Sequence, residues 1–145
     1  MFYGDTIEET RQMYFTSWQK FKNHLPLSPL EDQVAQIIAL HPEYQAIMDN
    51  PEQYKQRHYH PELGETNPFL HLGLHLGVRD QLATNKPAGI RQVYEQLLKK
   101  LKDEHEVEHV LMNILAEFMW QVQRNNLPPD EEEYFKLLQT ALTIS

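Results

Sequence analysis

The chain contains no cysteine. Disulfides, thiolate zinc sites, iron–sulfur clusters and a cysteine nucleophile are thereby excluded. No apolar run approaches the ~18 residues that a membrane-crossing helix needs, so no membrane partner is expected. The chain does not open with a basic stretch followed by an apolar one, so no signal peptide is expected and the location expected is cytoplasmic. The 5 glycines form neither G-x-G-x-x-G nor G-x-x-x-x-G-K-[ST], so no nucleotide cofactor is expected. The three serines, Ser17, Ser28 and Ser145, lie in no nucleophile elbow. Positive charge is also scarce, with 13 Lys and Arg against 21 Asp and Glu and a net charge of −8. Such a surface repels phosphate, and the short run Lys99-Lys100-Leu101-Lys102 is followed directly by acids, so no nucleic-acid partner is expected.

What is present reads as helix. Asp5-x-x-Glu8 is a start signal for a helix to about residue 23, with Ile7, Tyr14, Trp18, Phe21 and Leu25 as its buried stripe. Ser28-Pro29-Leu30-Glu31 combines a cap, a first-turn proline and a glutamate that reaches back. Pro42 ends that helix near Leu40 and can open a short one through HPEYQAIM. Residues 49–66 read as a long polar connection. Asn67-Pro68 opens a helix that is apolar nearly all round, as a central helix would be. Pro87 and Gly89 precede IRQVYEQLLKKL. Asp103-x-x-Glu106 caps a long helix to about Arg124, and Pro128-Pro129-Asp130 introduces the last helix. No segment alternates with period two. The fold class expected is all-α, a single-domain bundle of five to seven helices over 1–145.

The chemistry lies in the histidines. There are 8 of them. His71-x-x-x-His75 and His105-x-x-x-His109 each place two imidazoles on one helix face. The second pair completes H-E-x-x-H with Glu106. At 100° per residue, His71 and His75 share a face with Val78 and Leu82, opposite Gly73 and Gly77, whose missing side chains let a neighbouring backbone come close. On the long helix His105 and His109 share a second face with Met112, Ala116 and Trp120. Four imidazoles, or three with a carboxylate, satisfy zinc or iron. The primary metal candidates are therefore His71, His75, His105 and His109, with His41, Glu43 and Glu108 secondary. The competing reading makes these histidines structural, bonded to carboxylates or carbonyls.

A zincin protease fits poorly, because H-E-x-x-H falls in the first turn, where Glu106 serves the cap, and no third ligand follows at the usual spacing. A di-iron bundle needs two Glu-x-x-His motifs, and only Glu106-x-x-His109 is present.

The run NPFLHLGLHLGVRDQL, then KPAGIRQVY and EHEVEHVLMNILAEFMWQVQR, with HPEY upstream, resembles a family of small uncharacterised proteobacterial proteins, a domain of unknown function, from about Leu30 to Tyr134. The resemblance implies a bacterial helical protein and no established activity. The family pattern has glutamate where this chain has Asp80, which keeps the charge. Two functions follow as expectations: a zinc- or iron-binding helical domain, for which metal-assisted hydrolysis and oxidation are both open, or a non-enzymatic interaction or oligomerisation module with structural histidines. A homo-oligomer and a small-molecule substrate stay open as partners.

Overall fold

The computed structural model describes residues 7–144. Among the described residues all regular structure is helical: α1 (Ile7–Lys22), α2 (Pro29–Ala39), α3 (Pro42–Met48), α4 (Pro51–Tyr54), α5 (Pro68–Thr84), α6 (Ile90–Leu101), α7 (Glu104–Asn125) and α8 (Glu131–Ile144), with one 3-10 turn at Pro61–Leu63. The all-α expectation is met. Only α4 is a single turn, of 4 residues, and it lies with the 3-10 turn inside the stretch expected to be a plain connection. No helix among the described residues is long and apolar enough to cross a membrane. The chain divides into two compact units, one ending at Gly73 and the next beginning at Leu74, so the division falls inside α5.

In the first unit α1 packs on α2 and α3, α2 on α3, and α3 on α4. The start of α2 follows from its sequence: the Ser28 hydroxyl accepts the Glu31 N–H at 3.1 Å and the Glu31 carboxylate accepts the Ser28 N–H at 2.9 Å. Val34, Ala35, Ile37 and Ile38 of α2 then bury completely. Tyr14, Phe15 and Trp18 represent α1 in the core, and Phe69 meets Tyr14 and Phe15 with ring centroids 5.9 and 5.6 Å apart. The expected α1 stripe is corrected at its ends. Ile7, Phe21 and Leu25 are exposed, and Phe15 is buried in their place. The inward arc of α1 is narrower than its apolar residues suggest. Asp5, the expected cap, lies outside the described residues.

Arg11 is buried, and one of its terminal nitrogens donates to the carbonyls of Tyr54, Lys55 and Arg57 at 3.0, 3.3 and 2.8 Å. Of those acceptors, the Lys55 and Arg57 carbonyls lie at the exit of a one-turn helix, while the Tyr54 carbonyl also accepts the Arg57 N–H at 3.3 Å.

In the second unit α6, α7 and α8 pack pairwise. Their core joins Val78, Ile90, Val93, Leu97, Val107, Leu111, Met112, Tyr134 and Leu138. Met112, expected on the histidine layer of α7, belongs to this core, and Trp120, expected beside it, is exposed. Asp103 caps α7 by accepting the N–H groups of His105 and Glu106 at 3.0 and 3.3 Å. Gly89 opens α6 with φ +97, where a Cβ would lie 2.9 Å from the ring of Phe135. The two helical glycines do not meet a neighbouring backbone as expected. A Cβ on Gly73 would sit 3.4 Å from the Tyr14 hydroxyl, and one on Gly77 3.5 Å from a Leu115 methyl.

Candidate metal centre

The first unit brings His71 to His41. His41 precedes α3, where Pro42 fixes the helix start, and it is buried. Its Nδ1 lies 2.8 Å from the Ile37 carbonyl oxygen. A carbonyl only accepts, so Nδ1 carries the proton and the ring's lone pair sits on Nε2. That Nε2 faces the Nε2 of His71 at 3.1 Å. Two nitrogens bound to one tetrahedral zinc ion at ~2.05 Å stand about 3.3 Å apart, so the pair is within a few tenths of an ångström of a shared-ion geometry. Tyr44 walls the pair. Its ring stacks on His41 at 5.5 Å and meets His71 edge-on at 5.6 Å. Glu43, a secondary candidate, is exposed in the first turn of α3.

The second unit gathers His75, His105 and His109. Their ring centroids lie 6.0 Å (His75 to His105), 5.7 Å (His75 to His109) and 4.2 Å (His105 to His109) apart. The last distance is the one-turn stacking of an i,i+4 pair on α7. His109 Nδ1 donates to the His105 carbonyl at 2.8 Å, which leaves its lone pair on Nε2. His75 is completely buried, and its Nε2 donates to Glu108 Oε1 at 2.8 Å, so its lone pair sits on Nδ1. Glu108 accepts a second bond on the same oxygen from Arg79 Nε, also at 2.8 Å. Burial alone would raise the Glu108 carboxyl, but the bonds from His75 and Arg79 and the Arg79 charge hold it down at about 2. Glu106, the zincin-like glutamate, is exposed.

Three histidines, His41, His71 and His109, each offer a ring nitrogen that a metal ion could take. Arg79 is not among the candidates that the sequence singles out. The available signal was its position four residues after His75, which continues the His71–His75 face by one more turn. Tyr44 was equally unmarked, although it follows His41 by three residues.

Histidine-bearing helices without any strand among the described residues define the class: an all-α protein with imidazole clusters and no thiolate chemistry. Within that class, the chain belongs to the family described as domain of unknown function (DUF1841), which matches residues 6–140. The match extends beyond the stretch from Leu30 to Tyr134 on which the resemblance was read. No curated protein and no solved structure matches the chain.

Proposed function

We propose that the chain is a metal-binding helical domain that takes zinc or iron through its histidines. The proposed donors are His71, with His41, in the first unit, and His75, His105 and His109 in the second. One observation carries the reading. On each of His41, His75 and His109 one ring nitrogen is tethered, by the Ile37 carbonyl, the Glu108 carboxylate and the His105 carbonyl respectively. That is how ligand imidazoles are oriented and how their tautomer is set. Glu108 then acts as a partner of His75 rather than as a donor to the ion. Nitrogen donors without thiolate suit zinc or ferrous iron; zinc supports hydrolytic chemistry on a small molecule, and iron supports oxidative chemistry as well. The absence of cysteine suits a reducing cytoplasm.

The test is elemental analysis of untagged protein purified without chelator, together with His41→Ala and His109→Ala variants. The expected result is near-stoichiometric zinc or iron in the parent and at least tenfold weaker uptake in the variants. A parent protein without metal, or variants that load as the parent does, would overturn the proposal.

A second reading, an interaction or oligomerisation module with structural histidines, is favoured by the complete burial of His75 and its bond to Glu108. It predicts that the same substitutions lower stability and leave metal content at background.

A further inference from the structure

We infer that Arg79 is an oxyanion-binding residue, and that the second unit takes a small anionic ligand, bearing a carboxylate or phosphate group, beside its histidines. Arg79 follows His75 by one turn of α5, and both are keyed to a single oxygen of Glu108 at 2.8 Å. Guanidinium–carboxylate pairs frequently engage both oxygens through a two-point fork. Here Nε alone is used, and the two terminal nitrogens donate to no protein acceptor among the described residues. The Arg79 side chain is 37% exposed while Glu108 beneath it is 10% exposed, so the stem is anchored and the fork reaches water. An anchored fork of this kind suits planar or tetrahedral oxyanions, because little side-chain freedom remains to be lost on binding.

Tyr94 adds a second donor within electrostatic reach of Arg79, Glu104 and Glu108. Its phenol is protonated at neutral pH and so able to donate, and burial, reinforced by the two carboxylates, raises it further. The inference rests on the proposed metal reading for a reason of charge. Glu104 and Glu108 outweigh Arg79, so the bare cluster repels an anion, whereas a divalent ion on the histidines reverses the sign. The order of binding is therefore metal first and oxyanion second.

The experiment titrates inorganic phosphate, and separately acetate, into zinc-loaded protein by isothermal calorimetry, with zinc content measured on each sample. Parent protein should bind at least one of the two anions saturably, and the tighter one assigns the ligand class. Arg79→Gln should keep its zinc and lose at least tenfold in anion affinity. Arg79→Lys, which preserves the charge opposite Glu108 and so the fold, should lose affinity through loss of the fork. Zinc-loaded Arg79→Gln or Arg79→Lys that binds as the parent does, or a zinc-loaded parent that saturates with neither anion, overturns this inference and leaves the metal reading standing. A parent that takes up no zinc or iron overturns both, and the metal measurement tells the two failures apart.

Discussion

Glu108 shows how a single side chain sets the chemistry of its neighbours. It lies between the two histidines of α7 in sequence, yet its partners are His75 and Arg79 of α5. Its folded value of about 2 lies below the ordinary 4.5, so the stability it contributes is present above pH about 4.5 and is lost as pH falls from there toward about 2. With screening allowed for at the part-exposed Arg79, that contribution is about 2 kcal/mol. Urea denaturation at pH 7 and pH 3 should show more than half of this loss in the parent, and Glu108→Gln should reduce the difference by about 1 kcal/mol. Glu108→Ala at pH 7 should cost about 2–3 kcal/mol, since it leaves buried His75 without its acceptor. None of these pairings was legible in the sequence, because a carboxylate on one helix carries no mark of which face of another it will meet. The tautomer of His109, by contrast, depends on a carbonyl four residues back on its own helix, which is a local relation.

The helices and their ends were largely written in local sequence, because caps act within three or four residues of the positions that encode them. Ser28→Ala should accordingly cost about 1 kcal/mol in equilibrium unfolding through loss of the reciprocal cap on α2. The glycines divide by context. Gly89→Ala should destabilise by about 2 kcal/mol or more in the same measurement, because it places a Cβ at φ +97 and against Phe135. Gly77→Ala meets only ordinary contact with Leu115 and removes a weak helix former, so it should be neutral or stabilise by up to about 1 kcal/mol. Opposite signs for two identical substitutions would be the signature of this difference. Arg11 was unreadable as a structural residue, because its three carbonyl acceptors lie more than forty positions along the chain. Arg11→Met should cost about 3 kcal/mol, by leaving the Lys55 and Arg57 carbonyls without their donor.

For the whole chain, a bound ion should stabilise by mass action. With free zinc at a hundredfold excess over its dissociation constant the gain is about 2.7 kcal/mol, visible as an upward shift in Tm that excess chelator reverses. An unchanged Tm would count against metal binding to the folded state. By itself the sequence determined the all-α class, the positions of the helices other than α4 and the i,i+4 placement of both histidine pairs, because each depends on spacing along one helix or on a cap a few residues away. Only the tertiary structure decided that His71 meets His41, that His75 is tied to Glu108 and through it to Arg79, and that Phe21 and Leu25 stay in water. Those outcomes depend on which faces of separate helices come together, and helical periodicity names a face without naming its partner.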